Sequence, residues 1–84
     1  MALSPSQCRA ARGLLGWSQD DLADASKVSR ATIANFEREA TSPYASSLDQ
    51  LQKTLERAGA IFIEENGEGP GVRLRKRKPA SKRR

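Results

Sequence analysis

A short helix-start device occurs twice in close succession, and it constrains this chain more than any other feature. Serine stands at both starts, Ser18 and Ser29, with an apolar residue just before it (Trp17, Val28) and another at the fourth helical position (Leu22, Ile33). Such a serine hydroxyl accepts a hydrogen bond from an otherwise unpaired backbone N–H, and the flanking apolar pair clips the incoming chain against the first turn. With starts this close, the first of the two helices has room for only about two turns before the chain changes direction. Two helices joined by a tight turn must cross closely, which calls for a small residue in the first, here Ala23. Leu22, Val28, Ile33 and Phe36 supply the inward apolar set.

Helical signals continue on both sides. Ser4-Pro5-Ser6-Gln7 reads as a start: serine as cap, proline where a missing N–H costs nothing, and a glutamine that can reach back to the cap. Cys8, Ala11, Leu14 and Leu15 then form an approximate inward stripe, weakened at its end by Gly13 or Gly16. The helix from Ser18 carries Asp20 and Asp21 in its first turn, where the helix dipole favours acids, and Ser26-Lys27 interrupts it. The helix from Ser29 is expected to run to Ala40, with Ile33, Phe36 and Ala40 inward. Ala31, Asn35 and Arg38 point the opposite way, flanked by Arg30 and Ala34, and Pro43 blocks any continuation. A fourth helix, capped by Ser46 or Ser47, directs Leu48, Leu51, Leu55 and Ala58 inward and stops at Gly59.

After Gly59 the apolar period changes to two. Ile61–Glu64 and Val72–Arg75 read as strands, joined by turn chemistry in Asn66-Gly67 and Gly69-Pro70-Gly71. An isolated hairpin is marginal in water, so it must pack on the helices or on a second copy of the chain.

Charge is divided sharply. Of the last twelve residues, eight are basic (Arg73, Arg75, Lys76, Arg77, Lys78, Lys82, Arg83, Arg84) and none is acidic, while the whole chain carries +5. The body before Arg73 is therefore net acidic. A run of like charge cannot pack on itself and reads as a disordered arm that seeks a polyanion. Phosphate binding, simple solubilisation, nuclear targeting and attraction to a membrane surface are all open to such a run.

Several function classes are disfavoured. The chain has 84 residues, no histidine and one cysteine, Cys8. That leaves no internal disulfide, no histidine base and none of the common zinc constellations. No glycine-rich phosphate loop follows a strand, and a body this small has little room for a deep substrate cavity. An enzyme is not expected, nor a cofactor or metal. Cys8 is expected as a small buried apolar residue with nothing cationic nearby to activate it, and Trp17 as core. No apolar run approaches membrane-spanning length, and Met-Ala-Leu-Ser-Pro does not read as a signal peptide, so the cytosol is the expected compartment.

From Gln7 to Gly59 the chain resembles the Cro/C1-type helix-turn-helix regulators, the XRE family. The resemblance rests on Ala11-Arg12, Leu15, Trp17-Ser18-Gln19, Leu22-Ala23, Val28-Ser29, Thr32-Ile33, Phe36-Glu37 and Pro43. It implies a mostly α fold, a compact four-helix, lambda-repressor-like helix-turn-helix domain (residues 1–59), to which the period change and the charge run add a short β-hairpin (60–75) and a disordered basic tail (76–84). It further implies that the helix Ser29–Ala40 enters the major groove of double-stranded DNA. Arg30, Ala31 and Asn35 then occupy base-reading positions. Gln19, Ser29, Thr32, Arg38, Thr41 and Ser42 fall where phosphates are met, joined by tail residues Arg75, Lys76, Arg77, Lys78, Lys82, Arg83 and Arg84. The residue chemistry agrees, since arginine can grip guanine, asparagine adenine, and an alanine methyl a thymine methyl. Arg12 and Glu37 correspond to a structural ion pair.

Two departures stand out. Lys27 and Glu39 occupy places where the family often has glycine, which for Glu39 leaves the third helix free to run longer. Asp20, Asp21 and Asp24 would lie on the DNA side and repel phosphate. The expected function is a transcriptional regulator, a repressor or antitoxin-like autoregulator, cytoplasmic and nucleoid-associated in the prokaryotic manner. It would act as a homodimer joined through the hairpin. The acidic body motivates a second reading: a protein-interaction module of the same fold that modulates another regulator without binding DNA.

Overall fold

The serine caps of the first three helices form as the sequence predicts, and they set where those helices begin. The computed structural model describes residues 2–64 and 67–75, in the order α1 (Pro5–Leu15), α2 (Gln19–Ser26), α3 (Arg30–Glu37), α4 (Ala45–Ala58), β1 (Ala60–Ile63) and β2 (Gly71–Leu74). The expected tail, residues 76–84, lies outside the described residues, as does Asn66 of the turn. Ser4 Oγ accepts from Gln7 N at 3.1 Å, and Gln7 Oε1 accepts from Ser4 N at 3.1 Å. Ser18 and Asp21 repeat that reciprocal box at 3.0 and 2.9 Å. Ser29 Oγ accepts from Thr32 N at 3.1 Å. Gly16, with φ of 72°, ends α1 in the left-handed region that glycine enters without penalty.

Four elements differ in their bounds from the sequence reading. Helix α3 stops at Glu37, not Ala40. Glu39 adopts φ of 62°, which lets Ala40 N–H reach back to Asn35 O at 2.8 Å and close the helix. Ala40 is consequently exposed, not inward. Helix α4 is capped by Tyr44 with no side-chain bond, not by Ser46 or Ser47. Pro43 stands just before this cap, where its fixed backbone ends the preceding loop, and it lines one groove with Leu48 at the fourth helical position. Each strand begins one residue early, because Ala60 is wanted in the core and Gly71 pairs with Ile63.

The core is shared by all four helices and the hairpin. Leu3, Cys8, Ala11, Leu22, Ile33, Phe36, Leu51, Leu55 and Ala60 are buried, with Leu15, Trp17, Ala23, Val28, Leu48, Phe62 and Val72 packed around them. Of the two leucines expected inward near the end of α1, Leu15 packs against the core and Leu14 is 47% exposed. The strands are antiparallel, pairing Ala60 with Leu74 and Phe62 with Val72. Those pairs share one sheet face, and Ile61, Ile63 and Arg73 share the other. The hairpin is therefore not left alone in water. Gln7 pins it to α1, its Nε2 donating to Ile63 O at 3.3 Å and Gly71 O at 2.9 Å.

Lys27 ends α2 with φ of 66°, so a non-glycine residue does adopt the left-handed turn between α2 and α3. That conformation costs roughly 1 kcal/mol for a side chain with a Cβ. Lys27→Gly and Glu39→Gly should each stabilise the fold slightly, by up to about 0.5 kcal/mol once the glycine's larger unfolded-state entropy is subtracted from the relieved strain. Urea midpoints at neutral pH check this.

Candidate nucleic-acid interface

Glu37 holds the helix-turn-helix unit to the rest of the domain. Its side chain is 3% exposed, so an unpaired carboxylate there would be costly. Arg12 of α1 meets it with a two-pronged grip, Nε to Oε2 at 2.8 Å and Nη2 to Oε1 at 2.7 Å. Gln19 of α2 donates to Oε1 at 3.1 Å, and Cys8 Sγ donates to Oε2 at 3.1 Å. Arg9 donates to the Glu37 backbone carbonyl, and Arg12 Nη1 reaches Trp17 O at 3.0 Å. Three helices thus converge on one carboxyl group.

Burial pushes that carboxyl's pKa up, but the bonds from Arg12, Cys8 and Gln19 and the Arg12 charge outweigh it and hold Glu37 below the usual carboxylate range. Cys8 moves the other way. Burial and then the bond to Glu37 raise its thiol far above an ordinary cysteine, although Arg12 and Arg9 are near enough to oppose the shift. The expectation of nothing cationic nearby is corrected, while the expectation of an unreactive thiol agrees with that upward shift.

With Glu37 held inside, the opposite face of α3 looks outward. Arg30 and Ala31 are exposed and Asn35 is half-buried. Ser29 and Arg38 are exposed at the two ends of the helix, and Thr41 and Ser42 are exposed in the loop before α4. Thr32 is half-buried, and its Oγ1 accepts from Ser29 Oγ at 2.8 Å. Gln19, expected to meet phosphate, is half-buried and gives one amide donor to Glu37. Arg75 donates to Glu56 O at 2.8 Å, at the end of α4. The remaining basic tail positions lie outside the described residues.

Two contacts on this face escape sequence reasoning. Arg30 Nε lies 3.0 Å from Asp20 Oδ1, and Arg38 donates to Asn35 Oδ1 through Nε at 3.1 Å and Nη2 at 2.8 Å. The second pair is three residues apart on one helix, so helical spacing was a usable signal. The first joins α2 to α3 across the turn and depends on how the two helices cross. Among the described residues, no cluster of acids and cysteine has the form of a metal site, and no helix is long and apolar enough to cross a membrane.

Glu37 gives the domain a specific acid sensitivity. A carboxyl whose folded pKa is depressed contributes stability above its unfolded pKa of about 4.3, and that contribution fades as pH falls through the lower folded value. Glu37→Gln should cost about 3 kcal/mol at pH 7, because it leaves Arg12 without its partner in a partly buried site. The same variant should lose less further stability than the parent between pH 5 and pH 3 on urea titration.

A family model described as helix-turn-helix matches residues 9–59. No curated protein matches the chain. The matched span covers more than half of the sequence and contains the whole of α2, α3 and α4. The paired serine caps, the half-buried Ala23 and the buried Glu37 all fall within it, and the chain belongs to the Cro/C1-type (XRE) helix-turn-helix family of DNA-binding regulators.

Proposed function

We propose that this protein is a sequence-specific double-stranded DNA-binding transcriptional regulator, a repressor or antitoxin-like autoregulator, that docks α3 in the major groove. The observation that carries this reading is the outward part of α3, where Arg30 and Ala31 are exposed and Asn35 is half-buried beside them, on a helix whose last residue, Glu37, is held in the interior. Arginine offers a fork to guanine O6 and N7, asparagine a donor–acceptor pair to adenine, and alanine a methyl contact to thymine. Ser29, Thr32, Gln19, Arg38, Thr41 and Ser42 surround that face and are assigned to phosphates, which fix register without reading sequence.

The body before Arg73 is net acidic, so long-range attraction to DNA comes from the basic end. Nine residues follow Arg75, and extended they reach at most about 30 Å, enough to meet the backbone beyond the groove. A domain of this size covers only a few base pairs, and a homodimer on a palindromic site supplies the rest. The outer hairpin face is assigned to that contact, because Ile63 is 38% exposed there and Ile61 lies beside it. The compartment that suits this role is the cytoplasm, on nucleoid DNA.

Exposed Asp20 and Asp21 favour a second reading, in which the domain contacts a protein regulator and not DNA. Mobility shifts at physiological salt, with the duplex recovered by selection from a random pool and with scrambled duplex, separate the two. Arg30→Glu with Asn35→Ala should abolish the preference for the selected duplex in a folded protein. Removing residues 76–84 takes away six basic side chains, which should weaken binding to both duplexes and flatten the salt slope by up to about 5. Base preference should survive that truncation. Equal binding to all duplexes by the parent chain would overturn the DNA reading.

A further inference from the structure

The Asp20–Arg30 pair is an odd element in a nucleic-acid interface. Asp20 occupies the second position of α2, where it adds a negative charge beside the helix assigned to the groove. Its carboxylate lies 3.0 Å from Arg30 Nε, with the two side chains 74% and 62% exposed. An exposed pair of this kind holds its members only weakly in water. Neither group is needed for packing.

The geometry of the contact matters more than its strength. Asp20 engages Nε, the inner edge of the guanidinium, and so leaves the two Nη groups at its end for another ligand. Those two groups form the fork that matches guanine O6 and N7. An arginine with a long free stem can swing instead to a phosphate, which carries no sequence information. A carboxylate at Nε opposes that swing in two ways. It fixes the side chain's direction before binding, and it is left unpaired beside the DNA backbone if Arg30 departs. Docking that excludes water lowers the effective dielectric and strengthens both effects.

We propose that Asp20 is a specificity-determining positioning residue: it holds Arg30 end-on toward guanine and penalises docking in which Arg30 turns to phosphate. This rests on Arg30 reading bases, as assigned above. The aspartate therefore lowers affinity for DNA in general and raises discrimination among sequences.

The test uses the full chain, the duplex recovered by selection and a scrambled duplex at one salt concentration. Asp20→Asn removes the charge at a three-quarters exposed position and leaves the core untouched. It should tighten binding to the scrambled duplex two- to fivefold and reduce the selected-to-scrambled ratio about tenfold, a size set by the loss of part of one two-pronged base contact. Asp24→Asn, on the same helix but not the ion-pair partner of Arg30, should tighten scrambled binding with little change in the ratio. In an Arg30→Ala background, Asp20→Asn should leave the ratio where Arg30→Ala puts it. An unchanged ratio in Asp20→Asn, where Arg30→Ala lowers it, overturns the positioning role and spares the base-reading assignment. A ratio that Arg30→Ala itself leaves unaltered overturns both.

Discussion

A nearly inaccessible carboxylate needs partners close at hand, and the position of every helix around Glu37 reflects that need. Arg12 and Cys8 bring α1 to it, Gln19 brings α2, and Glu37 itself belongs to α3. Hydrophobic burial would permit many arrangements of short helices around Leu22, Ile33, Leu51 and Leu55. A charged group with defined hydrogen-bond directions permits far fewer, and here it faces the inner side of the helix whose outer side is assigned to DNA. The angle at which α3 is presented is thus set from inside the domain.

That internal anchoring explains how so small a body offers a defined surface. Arg30 and Asn35 each have a polar partner on the same face, and neither is anchored in the core. The face is held by weak exposed contacts and the scaffold by strong buried ones. Reorganisation on binding can then stay within side chains while the crossing of α2 and α3 persists.

Local features were legible in the residues, and distant ones were not. Ser4, Ser18 and Ser29 announced their helices because a cap acts over three positions, and the period change after Gly59 announced the hairpin. The Arg12–Glu37 pair was reachable only through family resemblance, since no spacing rule joins residues on different helices. Ser46 and Ser47 misled because a hydroxyl is the usual cap, whereas α4 begins at Tyr44 with no side-chain bond at all. Ala40 followed a helical period that Glu39 breaks by entering the left-handed region. Asp20 looked like a liability on the DNA side until the crossing placed Arg30 against it.

The Gln7 amide has a consequence for motion. Its two hydrogens span both strands of the hairpin while its oxygen closes the start of α1. Fraying at the amino end of that helix and separation of the strands are then coupled through one side chain, since either motion gives up a Gln7 hydrogen bond. A protein that paired through the outer strand face would therefore steady the first turn of α1 as well, at the opposite end of the fold.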